Sequence, residues 1–156
     1  MISTRPATTG DVSRLVALLN AAFAVERAFV DRDRTSATEI ARYLESGAFF
    51  VVDAEDGALA SCMYLEQRGD RLYLGMLAVD PLQQGRGLGR RMMAAAERHA
   101  ASLGCHAIDI NIVDRRTELL RFYRALGFVD NGTAPFEDPK LTQPCHFIRM
   151  AKELAP

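Results

Sequence analysis

The stretch Val79-Asp80-Pro81-Leu82-Gln83-Gln84-Gly85-Arg86-Gly87-Leu88-Gly89 joins an apolar run to an amphipathic one. Pro81 has no backbone N–H to give to a sheet, so a strand is predicted to end there. The glycines let the backbone approach a ligand closely, and the first N–H groups of the helix that follows favour an anion. The glycines alternate, so neither the Rossmann spacing nor a P-loop is present. From these residues alone, an anion-binding loop and a turn that only starts a helix both remain open.

Periodicity and capping signals predict the elements on either side of this loop. The predicted strands are residues 2–6, 48–53, 59–68, 71–79, 106–113, 128–133 and 145–151. One helix is predicted to begin after Thr8, which forms a capping-box pattern with Asp11. Three more are predicted to cover residues 36–47, about 87–104 and about 117–126. Gly47 is predicted to end the second helix as its C′ residue, and Gly69-Asp70 to form a hairpin turn. The order predicts a mixed α/β layer, with a loop through Pro135, Pro139 and Pro144 before the last strand.

The composition is that of an ordinary globular protein. The chain has 156 residues, 49% of them hydrophobic and 25% charged, which predicts one domain over residues 1–156. A net charge of −1 gives no reason to expect nucleic acid or a membrane surface as a partner, and no apolar run is long enough to span a bilayer. The N-terminus does not have a secretory pattern. Cys62, Cys105 and Cys145 are widely spaced and odd in number, so we expect buried thiols in the cytoplasm rather than disulfides or a metal site.

Two motifs together resemble the GCN5-related N-acetyltransferase (GNAT) family. The first is Gln84-x-x-Gly87-x-Gly89, which follows Val79-Asp80-Pro81 at the usual distance, and the second is Phe122-Tyr123-x-x-x-Gly127-Phe128. The resemblance covers nearly the whole chain in element order. It implies a central, mostly antiparallel mixed sheet with a β-bulge and splay at the cofactor site, flanked by about four helices.

The same resemblance implies acetyl-CoA as the acetyl donor, with no metal. The backbone of β-strand residues Leu77, Ala78 and Val79 would hold the pantetheine arm like an added strand. The pyrophosphate would lie on the loop residues Gln84, Gly85, Arg86, Gly87, Leu88, Gly89 and Arg90. The donors in such a site are fixed before the reaction begins.

The resemblance points to a general acid more clearly than to a general base. Tyr123 resembles the family's general acid, although it also lies on an apolar helical stripe and could be a core residue. Relatives that acetylate lysines in proteins often carry a glutamate base where this chain has Tyr73. Glu66 is the nearest carboxylate candidate, and a solvated hairpin residue is the other interpretation. His146 or a chain of waters is a further alternative for the base.

The chain also departs from the family where many relatives have an asparagine that contacts pantetheine. Arg116 occupies that place beside Arg115, and we do not transfer the role to Asn111 on the neighbouring strand. The two arginines could meet the cofactor's phosphates or lie in solvent. In relatives the acceptor is framed by segments that correspond here to residues 23–34 and 135–146, a mixture of aromatic and charged side chains that names no acceptor.

The function predicted from the sequence is N-acetyl transfer from acetyl-CoA to a primary amine of a small molecule, by direct attack in a ternary complex. Protein or peptide N-acetylation, including that of ribosomal-protein N-termini, and a non-catalytic acyl-CoA sensor are the alternatives. Relatives are often dimers, so a homodimer is possible.

Overall fold

The computed structural model describes residues 3–156, so Ile2 of the first predicted strand lies outside it. The strands are β1 (Arg5–Pro6), β2 (Ala48–Asp53), β3 (Leu59–Arg68), β4 (Arg71–Val79), β5 (Ala107–Val113), β6 (Val129–Pro135) and β7 (His146–Glu153), and the helices are α1 (Val12–Ala22), α2 (Ala37–Ser46), α3 (Leu88–Ser102) and α4 (Thr117–Ala125). Short 3-10 helices cover Thr9–Asp11, Ala24–Ala28 and Pro81–Gln83. The seven strands form one sheet in the order β1-β2-β3-β4-β5-β7-β6. Among the strands of residues 3–156, only β4 and β5 pair in parallel, so the predicted mostly antiparallel mixed sheet with four helices is confirmed.

The local signals that placed these elements act as expected at most positions. The capping box of Thr8 and Asp11 is present, and it opens a 3-10 turn that continues into α1. The Ser36 side chain accepts the backbone N–H of Glu39 at the start of α2. The prediction of a loop through Pro135 is wrong, because Pro135 is the last residue of β6. It occupies a strand end on the outer edge of the sheet, where a missing N–H costs little.

Gly47 follows α2 for a different reason from the one predicted. Its backbone is extended, with φ −158°, so it does not act as a left-handed C′ residue. A Cβ at this position would lie 2.6 Å from the Tyr64 hydroxyl and 2.6 Å from the Leu65 carbonyl oxygen. Glycine is therefore needed here because strand β3 passes close to the backbone.

Two apolar cores cover the two faces of the sheet. One contains Met92, Met93 and Ala96 of α3 with Leu120 of α4, and the other contains Leu15 and Leu19 of α1 with Ile40 of α2. Cys62 and Cys105 are buried as predicted, whereas Cys145 is only partly buried, and all three are free thiols in this structure. His99 packs on Phe50, with ring centroids 4.9 Å apart.

A β-bulge in β4 changes which core each of its side chains enters. Cys62 pairs with Ala78 and Tyr64 with Gly75, so Met76 and Leu77 together lie opposite the single residue Met63. Met76 takes a left-handed backbone with φ 51°. Leu72 and Leu74, before the bulge, face α3 and α4. Met76, within the bulge, and Ala78, after it, face α1 and α2.

The sheet opens immediately beside this bulge. The β4–β5 ladder joins Arg71–Tyr73 to Ala107–Asp109 and goes no further, although β4 continues to Val79 and β5 to Val113. Each strand remains paired on its other side, β4 with β3 and β5 with β7. A gap bordered by two unpaired strand edges therefore lies inside the sheet.

Candidate functional site

A cavity of about 360 Å³ occupies this gap. Its walls include Leu74, Leu77 and Tyr123 from the core on the α3/α4 side, and Tyr43, Tyr64 and Tyr73 from the core on the α1/α2 side. The cavity thus extends through the sheet from one face to the other. Its size is within the range of small-molecule sites, about 300–1,000 Å³.

Tyr123 lies on the wall of the cavity with its ring held in the core. The side chain is buried, and its ring makes edge-on contacts with Phe122 and Phe128. Within residues 3–156, every side-chain nitrogen or oxygen that is sealed from solvent has a hydrogen-bond partner. The Tyr123 hydroxyl has no such partner, so its oxygen is not sealed, and we infer that it is open to the cavity that Tyr123 lines. Burial raises the pKa of Tyr123, so its hydroxyl remains a proton donor at neutral pH.

The glycine loop lies directly beyond the end of β4. Gly85 and Gly87 have φ of 81° and 73°, a region that side chains other than glycine's rarely adopt. Gly87 is the N-cap of α3, so the backbone N–H groups of Leu88, Gly89 and Arg90 lie in the first turn, where they have no partner within the helix. This arrangement can receive an anion at the positive end of the helix dipole.

The two motifs of the sequence lie against each other in the fold. The Phe122 ring of α4 packs beside Gly89 of α3, 3.4 Å from where a Cβ on this glycine would lie. On the loop, the Gln84 amide donates to the carbonyl oxygen of Val79 at 3.2 Å, and Arg86 donates to the Gln83 side chain at 3.3 Å. Arg86 and Arg90 are exposed at the same end of the helix.

The two segments expected to frame the acceptor do lie beside the cavity. Phe23, Glu26, Arg32 and Arg34 of the first segment and Phe136, Glu137 and Asp138 of the second are among its walls. The segments hold each other through a bridge between Val30 and Leu141, and the backbone N–H of Thr142 donates to Phe29 at 2.9 Å. We call residues 23–34 and 135–146 together the cover.

Arg116 is nearly buried rather than in solvent, whereas Arg115 is exposed to solvent, one of the two alternatives that the sequence left open for it. The Arg116 guanidinium donates to Glu26 at 2.8 Å, and both side chains are nearly buried. It also lies over the Phe23 ring, 5.7 Å from the centroid. Arg115 donates to the carbonyl oxygen of Pro144 at 2.7 Å. Both arginines therefore fasten the cover to the start of α4.

The two candidate bases lie behind or beside the cavity rather than on its wall. Glu66 accepts hydrogen bonds from the Tyr64 hydroxyl, at 2.7 Å, and from Arg68, and these bonds lower its pKa. His146 pairs with Asp114 where β7 begins: the His146 backbone N–H donates to the carboxylate at 3.0 Å. Glu66 can reach the cavity only through Tyr64 or solvent.

All four tyrosines of the chain line this one cavity. Of these, Tyr43 and Tyr64 were not predicted as site residues. Tyr43 follows Ile40 by three positions on the inner face of α2, a spacing that indicates a residue turned toward the sheet but not toward a cavity. Tyr73 was noted only because it replaces an expected glutamate. It contacts the guanidinium of Arg68, whose carbon lies 4.2 Å from the ring centroid.

No helix among residues 3–156 is long and apolar enough to cross a membrane. In the same part of the chain, histidine, cysteine and carboxylate side chains nowhere gather in a group of three or more that could hold a metal ion.

Comparison with known proteins gives a family match over most of the chain. The description of the family is acetyltransferase (GNAT), and its model matches residues 14–128. The spermine/spermidine N(1)-acetyltransferase of Bacillus subtilis (strain 168) is 31% identical over 90 residues, which make up 57% of this chain and 54% of that protein. The chain thus spans about half the length of this curated relative.

Solved structures share the whole architecture. The ribosomal-protein-S18-alanine N-acetyltransferase of Escherichia coli superposes with a TM-score of 0.82 at 20% identity, over 100% of this chain and 96% of that one. The spermidine N-acetyltransferase of Vibrio cholerae, in complex with CoA and spermine, gives a TM-score of 0.75 at 18% identity, over 97% of this chain and 94% of that one. At these identities the likeness establishes the fold alone.

Proposed function

Because the chain belongs to the acetyltransferase (GNAT) family, we propose that it transfers an acetyl group from acetyl-CoA to the primary amine of a small molecule. The observation that carries this proposal is the gap between β4 and β5, because the cavity within it is lined both by Tyr123 and by residues of the cover. The B. subtilis relative, named for spermine and spermidine, supports an amine as the acceptor class.

On the donor side, the unpaired edge of β4 offers backbone groups to an extended ligand. Leu77, Ala78 and Val79 lie beyond the point where β5 leaves β4, so an amide-containing pantetheine arm could pair there as an added strand. The loop residues Gln84–Arg90 and the first turn of α3 would then receive the pyrophosphate. The exposed guanidiniums of Arg86 and Arg90 would add charge-assisted hydrogen bonds.

The chemistry is an acyl transfer that needs the amine placed against the thioester carbonyl carbon. As the amine nitrogen forms its bond to that carbon, the carbon–sulfur bond breaks and the thiolate must be protonated. Tyr123, whose hydroxyl opens to the cavity and stays protonated, would donate that proton. The amine loses its own proton to solvent or to a base.

Glu66 remains the proposed base. Its lowered pKa keeps it ionised at neutral pH, and its bond with Tyr64 gives it one route to the cavity. The Glu66→Gln variant tests this role, since glutamine can still accept the Tyr64 hydroxyl but cannot take a proton. A base role requires a lower kcat in Glu66→Gln, whereas unchanged kinetics would assign deprotonation to solvent.

The cover favours a small acceptor over a peptide chain. Its two segments both line the cavity and are joined to each other by the bridge between Val30 and Leu141, so a peptide chain would have to enter beside this joined pair. Acetylation of peptide N-termini and non-catalytic acyl-CoA sensing are the competing functions.

Thiol release from acetyl-CoA across a panel of monoamines, polyamines, amino acids and N-terminal peptides decides among these functions. We expect turnover with members of the small-amine class and none with peptides. Tight CoA binding without turnover of any amine or peptide would contradict the proposal and indicate a sensor.

A further inference from the structure

Three hydrogen-bond donors lie on the acceptor side of the cavity without a hydrogen-bond partner among residues 3–156. They are the Arg34 guanidinium and the hydroxyls of Tyr43 and Tyr73. Every sealed side-chain nitrogen or oxygen in that part of the chain has a partner, so these groups are open to the cavity. The family resemblance placed Arg34 only within the first acceptor-framing segment and gave Tyr43 no role.

Arg34 is held loosely in comparison with the other arginine on this wall. Its nearest carboxylate oxygen, on Glu39, is 3.7 Å away, and the same oxygen already accepts the Thr35 hydroxyl at 2.9 Å. The guanidinium carbon lies 5.2 Å from the centroid of Phe23, and the side chain is 25% exposed. Arg32, by contrast, is bonded to Asp138 and to two backbone carbonyl oxygens.

The two tyrosines are suited to donate rather than accept. Burial raises the pKa of both hydroxyls, and the nearby charge of Arg34 opposes this rise without cancelling it. Both therefore remain protonated at neutral pH. An arginine fork beside two hydroxyl donors is a typical arrangement for binding a small oxyanion.

The carboxylates nearby are mostly occupied. Glu26 is paired with Arg116, Asp138 with Arg32, and Glu39 accepts from Thr35. Glu137, for which no partner is found within residues 3–156, is exposed. This wall therefore has three spare donor groups but, among residues 3–156, a single carboxylate without a partner, fewer than the several ammonium groups of a polyamine would need.

We infer that the acceptor is an amine that also carries a small oxyanion, a carboxylate or a phosphonate, bound by Arg34, Tyr43 and Tyr73. The inference rests on the proposed acetyl transfer and narrows its substrate class. The oxyanion would orient the amine toward the gap between β4 and β5, where Tyr123 lies.

Matched amines test this inference. The pairs are β-alanine with ethylamine and γ-aminobutyrate with propylamine, which differ only by the carboxylate. Aminoethylphosphonate, α-amino acids and spermidine complete the panel. We expect kcat/KM to be at least about tenfold higher for the acid of a pair, since hydrogen bonds between charged groups are stronger than those between neutral ones. The ratio of β-alanine to aminoethylphosphonate distinguishes the two oxyanions.

Variants of Arg34 provide the second part of this test. Arg34→Gln should abolish the preference for the acids while leaving the KM for acetyl-CoA within about twofold, and Arg34→Lys should restore that preference in part. Arg42→Gln, on the exposed side of α2, is the matched control and should change nothing. If the wild type prefers spermidine or the plain amines, and Arg34→Gln does not change that preference, the inference is overturned, although acetyl transfer itself is still supported.

If no amine is acetylated, the proposed function is contradicted, but the oxyanion site can still be tested by calorimetry. The amino acids of the panel are titrated into the CoA complex of the wild-type protein and of Arg34→Gln. Binding that requires Arg34 would support the oxyanion site, and its absence would overturn it.

Discussion

The guanidinium of Arg116 donates to the carboxylate of Glu26 at 2.8 Å across 90 residues of sequence, with about a tenth of each side chain exposed. This ion pair fastens the cover to the start of α4. Removing one partner leaves the other charge buried and unpaired, which costs about 3–5 kcal/mol in comparable pairs.

We therefore expect Arg116→Met to lower the free energy of unfolding by about 3 kcal/mol in urea titrations. The double variant Arg116→Met/Glu26→Gln, which has no orphaned charge, should recover much of that loss. Arg27→Met removes an exposed partner of Asp33 and should cost less than about 1 kcal/mol. Equal stability of Arg116→Met and wild type would show that the pair does not hold the cover.

Tyr123→Phe separates the hydroxyl of Tyr123 from its ring. The ring contacts with Phe122 and Phe128 remain, so the thermal midpoint should stay close to that of the wild type. We expect kcat to fall by about 100-fold, the lower range for loss of a general acid, with an unchanged KM for acetyl-CoA. A variant that folds and turns over at the wild-type rate would remove Tyr123 from the chemistry.

Gly87→Ala tests the loop that we propose for the pyrophosphate. An alanine at φ 73° is strained by about 1–2 kcal/mol, and it lies at the N-cap of α3. We expect a several-fold rise in the KM for acetyl-CoA with little change in kcat. Gly57→Ala is a matched control, because Gly57 also has a positive φ of 86° and open space around it but lies in the β2–β3 turn. An equal effect of the two variants on KM would contradict the assignment.

Asp11 should make stability depend on acid pH. Its carboxylate is buried, and hydrogen bonds from Arg5, together with the backbone N–H of Thr8, hold its pKa below the usual value. Such a group stabilises the fold above its unfolded pKa of about 4, and the contribution is lost as pH falls toward the folded pKa.

The decline in unfolding free energy from about pH 7 to about pH 3 should therefore be smaller in Asp11→Asn than in the wild type. The exposed Asp33→Asn variant, which removes the acidic partner of Arg27, should keep the wild-type decline. Parallel curves for Asp11→Asn and wild type would exclude this contribution.

Local sequence signals predicted most of the fold. The bounds of β2, β3 and β4 match the prediction to the residue, because turn residues bound each of these largely apolar strands. The bulge at Met76 could not be placed from the sequence itself. Residues 72, 74, 76 and 78 are all buried, as in an uninterrupted strand, yet the last two face the opposite core.

The site was predicted on the donor side far better than on the acceptor side. The glycine loop and Tyr123 lie in short motifs, whose spacing is visible in the chain. Arg34, Tyr43 and Tyr73 come from three separate elements, and only the packing of α2 and the cover on β4 brings them to one wall. The buried partnership of Arg116 with Glu26 was equally hidden, since no local pattern links residues 90 positions apart.

The gap between β4 and β5 leaves the hydrogen-bonding of the sheet incomplete in its interior. An extended ligand seated there would act as a temporary strand and join the two halves of the molecule. Its binding should then slow amide hydrogen exchange along β4 and β5 and raise the thermal midpoint with ligand concentration. The apoprotein would be the less stable form, and the donor substrate would complete the hydrogen bonding of the sheet in which it reacts.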